Sequence, residues 1–158
     1  MAQLLTPGLF ASFGEVIEHT GDERRHGIAT AFDGDGQAPA RRLWVSRITT
    51  PATLPLRLAA MERHPHSAQF FIPLDTAGYL VAVCPALPGG APDLAALQAF
   101  VAGPYQGVLY GLNVWHHPMV VLDRPACFVV SMAQGCADDD VFAGIDTPTT
   151  ILAPDGDT

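Results

Sequence analysis

The chain has 158 residues, a formal charge of -8 and eight basic residues, all of them arginine. With no lysine, Schiff-base catalysis, pyridoxal-phosphate attachment and a Walker-type phosphate loop are excluded, because each needs a lysine amine. The acidic balance argues against a nucleic-acid partner, and 49% hydrophobic with 15% charged residues argues against disorder.

The length suits one domain, residues 1–158, with a sizeable core. No apolar run reaches the roughly 18 residues of a membrane span, so no membrane partner is expected. The first residues lack the basic start and apolar stretch of a signal peptide, and Cys84, Cys127 and Cys136 are odd in number without zinc-ribbon spacing. Reduced thiols in a cytoplasmic protein follow as the expectation.

In chain order, Thr6-Pro7 predicts a capped short helix to about Phe13, and Glu15–Glu18 a first strand. Residues 19–40 are Gly- and Asp-rich and predict a mobile loop that closes over the site, or a hairpin tip. Strands are expected over Leu43–Ile48, Gln69–Leu74 and Tyr79–Cys84, with a proline-bounded stretch, 51–55, leading on to Leu56–Met61. Asp93 followed by Leu94, Leu97, Phe100 and Val101 predicts a helix that Gly103-Pro104 ends. Val108–Tyr110, Met119–Leu122 and Cys127–Met132 read as strands, and 136–158 as an acidic loop. Many short strands and one or two short helices give an all-β sandwich or barrel.

Four of the six histidines fall in two groups about fifty residues apart. His64 and His66 lie in Glu62-Arg63-His64-Pro65-His66, and His116 and His117 precede Pro118. Alternate residues of a strand share a face, so Glu62, His64 and His66 can project together unless Pro65 breaks the pleat. Only one of His116 and His117 can face inward from a regular strand. Imidazole with carboxylate suits divalent metals and general acid–base chemistry. The plainer alternative is surface or turn histidines beside prolines. Asp138-Asp139-Asp140 reads as a solvated turn, since consecutive loop side chains diverge. Trp115 is either core beside the site or part of the pocket.

Cupin barrels carry motifs of the form H-x-H-x(3,4)-E and G-x-x-H. Glu62-x-His64-x(4)-Gln69 has the first spacing, with Glu and Gln in the outer places. Asn113-x-x-His116 has the second, with Asn where a left-handed turn is tolerated. Over about residues 5–145 the chain resembles the ureidoglycolate lyase family. The resemblance is carried by Phe10-Ala11-Ser12-Phe13-Gly14, Leu54-Pro55-Leu56, Glu62-Arg63-His64-Pro65, Phe71-Ile72-Pro73-Leu74 and Val114-Trp115-His116-His117-Pro118.

The resemblance implies a cupin-like, jelly-roll β-barrel, a homodimer, and cleavage of ureidoglycolate to glyoxylate and urea in allantoin degradation. It leaves two routes open at the site: a divalent metal ion such as nickel, or acid–base catalysis by the side chains directly with no cofactor. The catalytic candidates are then His64, His116 and Glu62. The substrate-binding candidates are Gln69, Arg63, Arg47, Trp115 and His66, and the metal candidates are His64, Gln69 and His116. The substrate is a small carboxylate, and its anion partner stays open between Arg63, which strand alternation points away from Glu62, and Arg47. Gly111 stands where family members often carry a basic or histidine residue, and Ala31-Phe32-Asp33 where they carry an Arg-aromatic-His-Asp run. These departures keep two alternatives: a lyase or hydrolase acting on another ureido or carbinolamide carboxylate, or a non-catalytic metabolite-binding cupin.

Overall fold

The computed structural model describes residues 1–38, 40–75 and 78–154. Strands dominate it. In chain order they are β1 (Gln3–Leu4), β2 (Gly14–Ile17), β3 (Ala40–Ile48), β4 (Leu56–Arg63), β5 (Gln69–Pro73), β6 (Tyr79–Cys84), β7 (Gln98–Ala102), β8 (Gly107–Tyr110), β9 (Trp115–His116), β10 (Val120–Val121), β11 (Ala126–Gln134) and β12 (Val141–Ile151). The helix α1 spans only Pro7–Phe10. Thr6 caps it, accepting from the Leu9 N–H at 3.4 Å, and Pro7 stands at its start.

Two sheets result. The larger runs β1-β7-β6-β9-β4-β12, with β10 also on β6, and the smaller runs β2-β8-β5-β11-β3. Their inner faces share one core, in which Tyr79, Val81, Val83 and Phe100 of the larger sheet meet Phe71, Val108, Tyr110, Phe128 and Val130 of the smaller. The intervening residues Leu80, Ala82, Cys84 and Trp115 belong to a second apolar cluster, on the outer face of the larger sheet. The expected all-β jelly-roll architecture is present. Hydrogen bonding among the described residues leaves the two sheets open at their edges.

Three expectations are corrected. The helix proposed after Asp93 is a single 3-10 turn, Leu94–Ala96, followed by strand β7. The apolar spacing that suggested a helix serves a strand buried on both sides: Phe100 and Ala102 face the inner core, Ala99 and Val101 the outer cluster. Pairing with β6, Phe100 opposite Val81, decides between the two periods. The second correction is β12, an eleven-residue strand in the expected acidic loop. It covers the edge of β4, with Val141, Ala143, Ile145 and Ile151 joining the outer cluster. The third concerns the loop 19–40. Its Ile28 and Ala31 pack on Phe70 and Leu109, covering the outer face of the smaller sheet. The Gly34–Ser67 bridge and the bonds from Asp35 N to His66 O and Ala68 N to Asp33 O hold it there, so it does not close over the histidine cluster.

Candidate functional site

Strands β4 and β9 are antiparallel neighbours with Glu62 opposite His116. Asn113, at φ 63, makes the left-handed turn anticipated before β9, and its N–H donates to the His64 carbonyl at 2.8 Å. That turn ties the two histidine segments together. Glu62, His64 and His116 consequently offer ligand atoms within 4.8 Å of one another. The two imidazole centroids are 5.4 Å apart. His116 is 1% exposed and His64 5%. Tyr110 of β8 lies flat on the His116 ring at 4.1 Å and 9°, fixing its plane, a contact worth about 0.5–1.5 kcal/mol beyond burial.

The hydrogen bonds set the tautomers. Nδ1 of His116 lies 3.0 Å from the Val114 carbonyl and Nδ1 of His64 lies 2.9 Å from the Asp139 carbonyl. A carbonyl only accepts, so both Nδ1 atoms carry hydrogen. In the neutral rings Nε2 then holds a lone pair. Both Nε2 atoms are buried without a hydrogen-bond partner, and Gln69 Oε1 is a third such acceptor. His116 Nε2 is 3.4 Å from Glu62 Oε1. Burial of Glu62 opposes its ionisation, but His116, with His64 and His117, outweighs that and holds the carboxyl below its ordinary value. Buried acceptors left facing one another are unfavourable unless a proton or a cation sits among them. The donor set of one carboxylate and two imidazoles therefore fits a divalent metal. Gln69 sits opposite Tyr110 in the β5–β8 register and gives its Nε2 hydrogen to Met132 Sδ at 3.2 Å, leaving only its oxygen free for a ligand.

The remaining sequence candidates separate from this cluster. His66 turns away from Glu62 and His64. Its Nδ1 is 2.7 Å from Asp35 and its Nε2 3.2 Å from Asp138. Trp115 follows the alternation to the outer face. There its Nε1 donates to the Gly90 carbonyl at 3.1 Å, and the Arg63 guanidinium lies 4.7 Å above its ring. Neither Trp115 nor Arg63 is brought to the cluster. Arg47 is exposed on the edge strand β3, opposite Cys127. His117 stands outside the pleat, with Nδ1 on the Pro118 carbonyl, and burial lowers its pKa.

Two residues emerge only from the tertiary arrangement. Asp139 is 2% exposed and so departs from the expected solvated turn. Its carboxylate accepts from the His66 N–H at 2.8 Å and its carbonyl anchors His64. Arg42 pairs with Met132 across β3–β11. It has the strand parity of Trp44 and Ile48, which pack on the inner core, and its own side chain is exposed at the end where Met132 meets Gln69. Nothing in the local sequence distinguishes Arg42 from Arg41. Register parity does. A cavity of about 250 Å³ opens beside this end, bordered by Met132, Cys136, Asp139 and Asp140.

A buried Glu-His-His cluster in a two-sheet jelly roll is a set of groups able to move protons or to hold a cation, which suits an enzyme acting on a small molecule. The family model for ureidoglycolate lyase matches residues 1–149. The chain belongs to that family and is an enzyme of the lyase class. It is similar to the ureidoglycolate lyase of Mesorhizobium japonicum, at 37% identity covering 82% of both chains. It is also similar to that of Schizosaccharomyces pombe, at 33% identity covering 88% of this chain and 87% of the other. Among solved structures, a dTDP sugar isomerase from Desulfovibrio desulfuricans G20 aligns at a TM-score of 0.46 and 18% identity, over 66% of this chain and 65% of that one.

Proposed function

We propose that the chain is a single catalytic domain that cleaves ureidoglycolate to glyoxylate and urea, with Glu62, His64 and His116 around the reacting carbon. The observation that carries this reading is the convergence of two imidazoles, each held at Nδ1 by a backbone carbonyl, and one carboxylate in a buried space.

Ureidoglycolate is a carbinolamide with a carboxylate. Its hydroxyl must lose a proton as the C–N bond breaks, and the departing ureido nitrogen must gain one. The O–H electrons become the second bond of the glyoxylate carbonyl, and the C–N electrons leave with urea. His116 and Glu62 act as the base. Their 3.4 Å contact lets a proton taken by Nε2 be stabilised by the carboxylate. His64 acts as the acid. Its Nδ1 faces both the Asp139 carbonyl and, at 3.2 Å, the Asp140 carboxylate, so a positive ring is supported while Nε2 delivers its proton. Each turnover leaves His116 with the hydroxyl proton and His64 without the one it gave to nitrogen, so a proton passing from His116 to His64, whose ring centroids are 5.4 Å apart, restores the pair.

Glu62, His64 and His116 would hold a divalent ion such as nickel, with the buried and unpartnered Gln69 Oε1 as a fourth candidate donor. When bound, it would supply Lewis-acid polarisation of the substrate oxygens. Arg42 is the proposed partner of the substrate carboxylate, because it stands exposed at this end of β3 at the strand parity of Trp44 and Ile48. The reading places the enzyme in the cytoplasm, as a homodimer, in allantoin degradation. Among the described residues no helix is long and apolar enough to cross a membrane.

The test is urea and glyoxylate release from ureidoglycolate. Glu62→Gln, His64→Ala and His116→Ala should each lower kcat by about 10²–10⁴-fold, and Arg42→Ala should chiefly raise KM. Full activity in both histidine variants would overturn the assignment.

A further inference from the structure

A second group of ligand-bearing side chains lies outside the Glu62 cluster. His66, between β4 and β5, meets Cys136 and Asp138 of the turn between β11 and β12, and their ligand atoms all lie within 4.8 Å of one another. Nε2 of His66 is 3.2 Å from Asp138 Oδ1, and Cys136 Sγ is 2.8 Å from the same oxygen. Behind the ring, Asp35 Oδ2 is 2.7 Å from His66 Nδ1. The Asp35 carboxylate holds hydrogen on Nδ1, the usual support of a metal-bound imidazole, while Nε2 donates its own hydrogen to Asp138, the hydrogen that a bound cation would replace. The His66 side chain is only 11% exposed. It cannot swing away without breaking this contact.

We propose that His66, Cys136 and Asp138 bind a divalent cation of the zinc class, with Asp35 orienting the histidine and water completing the coordination. Sulfur, imidazole and carboxylate together suit zinc better than calcium or magnesium, which take oxygen ligands. With metal–nitrogen and metal–oxygen bonds of about 2.0–2.1 Å and a metal–sulfur bond of about 2.3 Å, tetrahedral ligand atoms stand about 3.3–3.6 Å apart. The His66–Asp138 separation of 3.2 Å is within about 0.2 Å of the nitrogen–oxygen value, whereas the Cys136–Asp138 separation of 2.8 Å must open by about 0.7 Å on binding. On binding, the Cys136 thiol loses its proton to solvent, as does Nε2 of His66 where it is protonated. The thiolate and the imidazole lone pair then face the ion.

The site is separate from the catalytic cluster, yet mechanically linked to it. Asp138 precedes Asp139, whose carbonyl holds His64. An ion here would staple the turn carrying Asp139 to the segment that carries His64 and His66. The inference does not rest on the proposed lyase reaction.

The test uses the purified full chain, titrated with Co²⁺ under reducing conditions. The Glu62 cluster contains no sulfur, so a thiolate-to-cobalt charge-transfer absorption reports the second site alone. The expected result is that this band appears and saturates within two equivalents per chain, and at one equivalent in His116→Ala, where the sulfur-free cluster is disabled. It should persist in His116→Ala, vanish in Cys136→Ser, and reach half-saturation at 10–100-fold higher Co²⁺ in Asp35→Asn. Zn²⁺ should displace the cobalt and bleach the band. Circular dichroism should show that the Cys136→Ser and Asp35→Asn variants are folded. Absence of the band in the wild type, or its persistence in folded Cys136→Ser, overturns the proposal. The group would then be a histidine bridging two carboxylates and nothing more.

Discussion

The backbone carbonyl of Asp139 accepts a hydrogen bond from Nδ1 of His64 across 75 residues of sequence, at 2.9 Å. The same residue's carboxylate takes the His66 N–H at 2.8 Å and lies 3.4 Å from the Ser67 hydroxyl. One buried residue thus fixes both the path of the 64–67 segment and the tautomer of His64. Asp139→Ala should leave a largely buried N–H unpaired, costing about 1–3 kcal/mol, and it should lower kcat about tenfold or more through misplaced His64. Asp139→Asn keeps one acceptor and should recover much of the stability. Thermal melts and turnover of the two variants, compared side by side, check this.

Gln69 is buried with its oxygen unpartnered. In a core without function, Gln69→Leu would be neutral or stabilising, because an orphan acceptor is removed. If the oxygen serves a ligand, the same change should raise the apo protein's Tm while weakening divalent-cation binding. Gln69→Glu should do the reverse, since a carboxylate is the stronger ligand. Calorimetry with and without added Ni²⁺ separates the two. A Gln69→Leu protein that binds nickel as wild type does would remove Gln69 from the site.

Gly14 opens β2 at φ 153, opposite Tyr110, and a Cβ there would stand 1.8 Å from the Leu109 carbonyl oxygen. The obstruction is backbone, so it cannot rotate aside. Gly14→Ala should destabilise the protein by more than about 3 kcal/mol, in the range expected of severe strain and overpacking. It should also disturb Tyr110, whose ring carries His116. A urea midpoint near that of the wild type would contradict the described β2–β8 pairing.

Glu15 anchors the 19–40 loop by accepting from the Thr30 N–H at 2.8 Å and from the Thr30 hydroxyl. The Thr30 hydroxyl bond, above all, holds the Glu15 carboxyl below its ordinary value. A depressed folded-state pKa stabilises above the unfolded pKa, and that contribution is lost as pH falls through the folded value. Thr30→Val should therefore lower Tm at neutral pH, and the difference should shrink below about pH 4. A difference independent of pH would assign the effect of Thr30 to packing alone.

The candidate cluster was legible because its determinants are local. Glu62 near the end of β4 and His64 just beyond it lie two apart, and His116 lies three after a residue able to take positive φ. The divergence of Arg63 from Glu62 follows from the same alternation. Asp139 was not legible, because a carbonyl acceptor has no side-chain signature and its partner is 75 residues away. The segment 94–101 was misleading for another reason. A strand buried on both faces loses its alternation, so apolar residues at helical spacing can arise within it.

Sequence alone determined the chemistry available to this chain: no amine, two pairs of imidazoles, a carboxylate at ligand spacing, and enough short apolar strands for an all-β fold. These are properties of residue type and near-neighbour spacing, and folding does not alter them. Tertiary structure decided which groups meet. It separated His66 from His64 and sent Trp115 and Arg63 to the outer face. It turned an acidic tail into the strand that covers β4, and brought Asp139 under His64. Each outcome depends on register between strands distant in sequence, where a shift of one residue exchanges the inner and outer faces.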